Sequence, residues 1–342
     1  MKNLLIRTDA GESVGAGHAM RCLALGQAWR SKGGRVVFVM AASAPAVKAR
    51  IVDEMDEVVD ILADPGSSRD AEQTMESYRR SGAKILVADG YKFDALYQKR
   101  LKEAGARLLL VDDYGHADTY SADWVLNQNL HATEKLYAKR ASYTKLLLGP
   151  RYAMLRKEFW LRGGFSRDTR TPVRNILVTL GGSDPGNVTA KVIAAIREAA
   201  RPEWQVQVLV GAANPHRAAL ESVCAGAPYI RLENATEDMP EKMAWADLAV
   251  TASGSTVWET AFMGLPSVVL ILAENQRLIA ETLHERGVVW NAGWAGSAKI
   301  GEAVLKLAAD KDLRESLSRA GRDLVDGEGA LKIAEEICDG AN

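Results

Sequence analysis

Residues 5–31, LIRTDAGESVGAGHAMRCLALGQAWRS, decide how this chain is read. Leu4-Leu5-Ile6 is an apolar run with the character of a buried strand, and Met20, Leu23, Ala24, Ala28 and Trp29 recur at helical spacing. Gly15, Gly17 and His18 therefore fall at a glycine-rich turn joining strand to helix. Glycines there let backbone N–H groups approach a ligand, and the emerging helix N-terminus favours an anion. The plain alternative is that the glycines only make the turn and His18 only caps the helix.

Working outward, short β-type runs alternate with helical patterns along the chain: Leu4-Ile6, Val36-Met40, Ile85-Ala88, Leu108-Val111, Trp124-Leu126 and Leu146-Leu148, then Ile176-Leu180, Val206-Val210, Tyr229-Leu232, Leu248-Val250 and Val268-Leu272. Continuous apolar runs of this kind mark parallel sheets covered on both faces. The rhythm breaks after Leu148 into Gly149-Pro150, a charged helix-like piece over Leu155–Leu161, and a polar stretch ending at Pro172. It then restarts with Ile176-Leu180 feeding Gly181-Gly182-Ser183-Asp184-Pro185-Gly186. The expected architecture is α/β, with two Rossmann-like domains facing across a cleft: an N-terminal domain over 1–150, a linker over 151–172 and a C-terminal domain over 173–342, whose last helix packs back on the first. Ligands on such sheets sit at the carboxyl ends of the strands.

A chain of 342 residues, 47% apolar and 25% charged, is long enough for two cores of ordinary size. The formal net charge of -1 and the lack of a basic block offer nothing to nucleic acid or to an anionic membrane surface. Cys22, Cys224 and Cys338 are few, odd in number and far apart, with no metal-ligand spacing, and read as reduced thiols of a cytoplasmic protein. There is no signal-like apolar segment and no 18-residue apolar run, so no membrane span is expected.

Gly15-Ala16-Gly17-His18-Ala19-Met20 lacks the third glycine of a dinucleotide fingerprint, and Gly181–Gly186 lacks the Lys-Ser/Thr pair of a P-loop. The second turn could still hold a diphosphate; otherwise it is a strand-to-helix loop with Asn187 near the helix start. Ser253, Ser255 and Thr256 follow the strand Leu248-Val250 and could cap the next helix. Glu259, one turn further, could accept two hydrogen bonds from a ribose diol or simply complement the helix dipole. Glu274-Asn275-Gln276 places three polar side chains at another strand end. Asp89-Gly90-Tyr91 and Asp112-Asp113-Tyr114 put carboxylate-aromatic sets on the rim of the first half, with Asp112 and Asp113 read as turn formers. His116, His131, His216 and His284 show no metal pattern and read as surface or helix-end residues.

In this order the motifs resemble the UDP-sugar hydrolases of the pseudaminic-acid pathway, relatives of the glycosyltransferase-B family that includes the peptidoglycan lipid N-acetylglucosaminyltransferase. The resemblance is carried by Arg7-Thr8-Asp9, Gly15-Ala16-Gly17-His18 with Arg21-Cys22-Leu23, Asp89-Gly90-Tyr91, Leu148 to Arg156, Gly181-Gly182-Ser183-Asp184, Ser253-Gly254-Ser255-Thr256 with Glu259, and Glu274-Asn275-Gln276. It implies that the second domain holds uridine diphosphate through Gly181 to Asp184, Ser253 to Thr256 and Glu259. His18 then activates a water, Tyr91 lies near the sugar and Asn275 belongs to the sugar site.

The expected reaction is hydrolysis of a UDP-linked amino sugar at its anomeric carbon, with UDP-2,4-diacetamido-2,4,6-trideoxy-β-L-altropyranose as the donor the resemblance suggests. UDP is a good leaving group when its charge is stabilised, so one base near neutrality is enough, and an imidazole fits. Asp9 is the acid expected to fix the tautomer of His18. No metal or other cofactor is required, no partner beyond the small-molecule UDP-sugar is implied, and a monomer is expected. The alternatives are a glycosyltransferase of the same fold, a non-hydrolysing 2-epimerase, and a nucleotide-sugar-binding protein without catalysis.

Overall fold

A computed structural model describes residues 2–11, 15–211, 213–234 and 238–339. Glu12, Ser13 and Val14 of the first glycine-rich turn lie outside them. The chain forms two compact units, one of Met1–Lys157 with Gly327–Asn342 and the other of Glu158–Asp326.

The first unit runs β1 (Leu4–Thr8), α1 (Gly17–Ser31), β2 (Val36–Met40), α2 (Pro45–Glu54), β3 (Glu57–Asp60), α3 (Ser68–Arg80), β4 (Ile85–Asp89), α4 (Ala95–Glu103), β5 (Leu108–Val111), β6 (Trp124–Asn127) and β7 (Lys145–Leu148). Its parallel sheet has the order β3-β2-β1-β4-β5-β6-β7. Successive strand residues face opposite sides, and Leu5, Val37, Val39, Leu86, Ala88, Leu108 and Leu110 share one core. Their neighbours Leu4, Ile6, Phe38, Val87 and Leu109 are also fully buried, so both faces are covered. Each such side chain contributes about 1.5–3 kcal/mol.

A short helix, α5 (Lys157–Trp160), leads into the second unit: β8 (Asn175–Thr179), α6 (Val188–Ala199), β9 (Gln205–Val210), α7 (Arg217–Cys224), β10 (Ile230–Asn234), α8 (Met239–Trp245), β11 (Leu248–Ala252), α9 (Thr256–Phe262), β12 (Ser267–Ile271), α10 (Glu274–Glu285), β13 (Trp290–Trp294), α11 (Ile300–Ala309) and α12 (Lys311–Leu324). The six-stranded sheet, in the order β10-β9-β8-β11-β12-β13, repeats the order of the first unit without its seventh strand, again all parallel. Ile176, Val178, Val206, Val208, Leu248, Val250, Val268 and Leu270 face Val192, Ile193 and Ile196 of α6 and Val304 and Leu307 of α11 in one core.

The last helix, α13 (Gly329–Asp339), belongs to the first unit and packs on α1. Ala330, Ile333, Ala334 and Ile337, at helical spacing, are fully buried. Helix α1 is accordingly buried nearly all round, and at Gly26 an added Cβ would stand 2.8 Å from the Met55 sulfur.

Residues 151–172 are not a free connector. Tyr152, Ala153, Met154 and Leu155 are buried and lie in the first unit, whereas Phe159 is buried in the second. Further on, the Arg167 guanidinium donates to the carbonyls of Met243, Ala246 and Met263. A segment whose side chains fill a core and satisfy buried carbonyls is part of the units it joins.

Candidate active site

In a sheet of order 3-2-1-4 the chain reverses direction of build between strands 1 and 4, and loops leaving those two strands part to opposite faces and open a crevice. The first unit has this reversal between β1 and β4, the second between β8 and β11. Asp9 and the His18 turn follow β1, and Asp89-Gly90-Tyr91 closes β4. Gly181–Asp184 follows β8, and Ser253–Thr256 follows β11. Topology thus brings these residues to two switch points, whereas Glu274, Asn275 and Gln276 follow β12, one strand further along the sheet.

Gly15 has φ +75°, which only glycine adopts at little cost. Its N–H donates to the Gly11 carbonyl at 2.7 Å, so this glycine shapes the turn. Gly17 begins α1, and His18 sits in the first helical turn. His18 does not cap the helix: its Nδ1 lies 2.6 Å from Asp89 Oδ1. Asp9, expected to hold His18, instead accepts hydrogen bonds from the N–H groups of Ala41 and Ala42 at 2.7 and 2.9 Å and pairs with Arg7 at 2.8 Å. The reason is strand order. β4 lies beside β1, so the end of β4 faces the start of α1, while Asp9 ties the end of β1 to the loop after β2.

Asp89 is fully enclosed. Arg21 grips it with Nε to Oδ2 and Nη2 to Oδ1, both at 2.7 Å, and reaches Asp113 Oδ1 with Nη1, also at 2.7 Å. Burial by itself would raise the Asp89 carboxyl, but the Arg21 charge, then His18, and the hydrogen bonds of both hold it well below the usual carboxylate range. Burial likewise opposes ionisation of Asp113, and Arg21 overrides it. Arg21 itself, desolvated, is kept charged by the two carboxylates. Since Asp89 is ionised it accepts, and His18 carries its proton on Nδ1. Nε2 has no hydrogen-bond partner among the described residues.

Cys22 donates its thiol to Asp89 Oδ2 at 3.4 Å. Burial, then the Asp89 charge, pushes it well above the ordinary thiol range, so it is an inert hydrogen-bond donor rather than a nucleophile.

Tyr91 stands edge-on to His18 with ring centroids 4.7 Å apart, and its hydroxyl donates to Asp113 Oδ2 at 2.8 Å. Asp113 also accepts from Asn129 Nδ2 at 3.1 Å. Its turn-forming reading is therefore corrected, whereas Asp112 does form the turn by accepting from the N–H groups of Asp113, Tyr114 and Gly115. His116 is not a surface residue: its side chain is buried, and Nδ1 lies 3.0 Å from Asp112 Oδ1. His131 braces the Asp113 carbonyl through Nε2 at 2.8 Å. Tyr114 and His116 extend the aromatic set beyond Tyr91.

In the second unit, Gly181 has φ +93° and Asp184 φ 42°. The Asp184 carboxylate turns inward and caps α6, accepting from the N–H groups of Val188 and Thr189 at 2.8 Å each and the Thr189 hydroxyl at 2.6 Å. The helix N-terminus that could have met a phosphate already holds an anion. Of the predicted loop residues, Gly181, Gly182 and Ser183 are not taken up in that cap. Gly182 is braced from behind, its carbonyl accepting from the Ala213 N–H at 3.1 Å and lying so close to Gly211 that a Cβ there would stand 2.2 Å from it. Nothing in the sequence pattern singled out Gly211.

The Ser253 hydroxyl is buried, 3.3 and 3.1 Å from the carbonyls of Leu270 and Gln276, so it fastens the loop after β11 to β12 itself and to the first turn of α10. Gln276 Oε1 in turn accepts from the Leu272 N–H at 3.0 Å. Neither Ser255 nor Thr256 uses its hydroxyl as a cap, and among the described residues both are without a side-chain hydrogen bond. Gly254 lies against Gln276. Glu259 is half-buried in the first turn of α9, Asn275 is half-buried at the start of α10, and Glu274 is exposed and paired with Arg277 at 2.7 Å. Among the described residues no group of three His, Cys, Asp or Glu is placed to hold a metal ion, and no helix is long and apolar enough to cross a membrane.

Residues 175–336 match the profile of the glycosyltransferase family 28 C-terminal domain. The chain is 28% identical over 264 residues to the spore coat polysaccharide biosynthesis protein SpsG of Bacillus subtilis, spanning 75% of this chain and 76% of that one. It is 24% identical over 209 residues to the pseudaminic acid cytidylyltransferase and UDP-2,4-diacetamido-2,4,6-trideoxy-beta-L-altropyranose hydrolase of Helicobacter pylori, covering 60% of this chain but 37% of that longer one. Among solved structures, MnaA of S. aureus in its UDP co-structure superposes with a TM-score of 0.70 over 99% of this chain and 96% of that one, at 14% identity. A likeness at that identity speaks for fold alone. The chain has the glycosyltransferase-B type of fold, with two Rossmann-like parallel-sheet units.

Proposed function

We propose that this protein hydrolyses a UDP-linked amino sugar at its anomeric carbon, releasing UDP and the free sugar. The observation that carries the reading is the His18–Asp89 pair: an imidazole with Nδ1 bonded to an ionised carboxylate at 2.6 Å and Nε2 left to accept a proton. Water attacks the anomeric carbon as its proton passes to Nε2, and the bond from that carbon to the β-phosphate oxygen breaks with its electron pair leaving on UDP. Asp89 stabilises the imidazolium that forms. UDP is a good leaving group, so a single base serves. The second unit holds the nucleotide, with Gly181, Gly182 and Ser183 and the hydroxyls of Ser255 and Thr256 toward the diphosphate and Glu259 toward the ribose. Tyr91 and Asn275 serve the sugar. The relative from Helicobacter pylori, whose name includes hydrolysis of such a donor, supports the choice of substrate class.

The test is UDP release and free sugar, followed by NMR, from UDP-2,4-diacetamido-2,4,6-trideoxy-β-L-altropyranose, with and without a chelator. His18→Ala should lose roughly 10²–10⁴-fold in turnover with little change in UDP binding, and turnover should survive the chelator. An unchanged rate in His18→Ala removes the histidine from the mechanism. The second reading, transfer of the sugar to an acceptor, is favoured by the family 28 match over residues 175–336. It predicts tight UDP binding with no release to water and turnover once an acceptor is added.

A further inference from the structure

His18 and Tyr91 touch through their rings, but they are also joined the long way round. From His18 the path runs through Asp89 to Arg21, from Arg21 Nη1 to Asp113 Oδ1 at 2.7 Å, and from Asp113 Oδ2 to the Tyr91 hydroxyl at 2.8 Å. The edge-on contact of Tyr91 with His18 at 4.7 Å closes the circuit. Asp113 is the one member that binds both arms, one carboxylate oxygen for each, and it is fixed in place by Asn129 Nδ2 at 3.1 Å. A buried carboxylate shared between a guanidinium and a phenol can satisfy both only in one orientation.

The charges make the same point. Two carboxylates, Asp89 and Asp113, surround one guanidinium, so these three groups carry one uncompensated negative charge beside the His18 ring. A proton taken up at His18 makes the cluster neutral. With Asp89 alone, Arg21 would already be balanced, and a protonated imidazole would leave a buried positive charge.

We infer that Asp113 is a positioning residue that holds Arg21 and Tyr91 together and through them fixes His18. This rests on the reading of His18 as the base, and the test separates the two. With 15N-histidine-labelled protein, the low-field Nδ1–H resonance of His18 is identified by its absence from His18→Ala and followed in Asp113→Asn. Expected are a shifted or exchange-broadened resonance and a loss in kcat of about 10²-fold, the scale of a misplacement near 1 Å, with the KM for donor within a factor of about two. Tyr91→Phe, which removes one hydroxyl and leaves the buried charges alone, should perturb the same resonance and serves where Asp113→Asn does not fold. Because both substitutions break the same bond, the double variant should be little worse than Asp113→Asn. An unchanged resonance in Asp113→Asn overturns the proposal, as do strictly additive losses in kcat. A resonance that responds while the unsubstituted protein turns over no donor leaves the positioning role standing and defeats the hydrolase reading.

Discussion

His18 and Asp89 stand 71 positions apart in the chain, and their Nδ1 and Oδ1 atoms lie 2.6 Å apart because β4, which ends in Asp89, is the immediate neighbour of β1 in the sheet. Asp89→Asn keeps the shape of the side chain but removes the charge that holds the proton on Nδ1. Turnover should fall roughly 10²–10⁴-fold, the range of a disabled general base. Asp9→Asn, which touches the loop after β2, should stay within a factor of about three of the unsubstituted rate. Steady-state kinetics on the two variants checks this, and comparable losses in both would return Asp9 to the site.

How much of this was legible in the sequence follows from burial. The eleven apolar runs all became strands: nine lie inside the sheets, where coverage on both faces favours apolar side chains, and two, β7 and β10, are edges. Both strands that were missed, EVVD at β3 and WNAGW at β13, are sheet edges. An edge is half-solvated, so Glu57 and Asp60 are tolerated in β3, and Gly293 sits in β13 at φ +88° beside a register shift in the ladder. Periodicity placed His18 at a strand-to-helix turn but could not say which strand-end acid it meets, since Asp9, Asp89, Asp112 and Asp113 all end strands. The order of strands decides that, and order is a long-range property. The rule that a doubly wound sheet parts between its first and fourth strands would have singled out Asp89. Arg21 stands in the sequence only as part of a motif with no role attached, and the pair of carboxylates that explains its burial comes from the ends of two other strands.

Gly211→Ala places a methyl 2.2 Å from the Gly182 carbonyl. Backbone cannot yield cheaply there, and overpacking of this kind costs about 1–3 kcal/mol, so UDP affinity measured by calorimetry should weaken roughly 10–100-fold. The His18 group lies in the other unit, so kcat at saturating donor should hold. A normal affinity in the folded variant would detach the Gly181–Gly182 loop from the nucleotide.

Asp112 and His116 predict a pH window. Burial opposes ionisation of Asp112, but hydrogen bonds from His116 and Tyr120 bring it down to about 2, so its contribution is present above the ordinary carboxylate pKa of ~3.9 and lost as pH falls toward about 2. His116, despite burial, is raised by Asp112, so its contribution is complete below ~6.5 and lost as pH rises through the raised value. Urea unfolding of the first unit should therefore show His116→Phe destabilised by about 1–3 kcal/mol near pH 5.5, with a smaller deficit near pH 9. An equal deficit at both values would contradict the pairing.

Arg7 is buried and forked onto Asp70, with Nε to Oδ1 at 2.9 Å and Nη2 to Oδ2 at 2.7 Å, and Asp70 also accepts from the hydroxyls of Tyr97 and Thr74. Arg7→Met leaves that carboxylate enclosed without its cation and should cost about 3–5 kcal/mol in stability. The double variant Arg7→Met with Asp70→Leu should recover part of it. Denaturant titration of both decides whether the pair stabilises the unit or only neutralises itself.

The return of α13 to α1 bears on how the protein is made. Helix α1 precedes the second unit in the chain, yet the apolar face that covers it, with Ala330, Ile333, Ala334 and Ile337, follows that unit. The second unit is one continuous segment and can complete itself from its own residues, whereas the first needs both the segment before the second unit and the segment after it. A chain cut before Gly329 would therefore keep every residue of the second unit but leave the α1 face of the first uncovered. Chaperone demand and protease sensitivity during synthesis should fall on α1 and its surroundings rather than on the unit that emerges second.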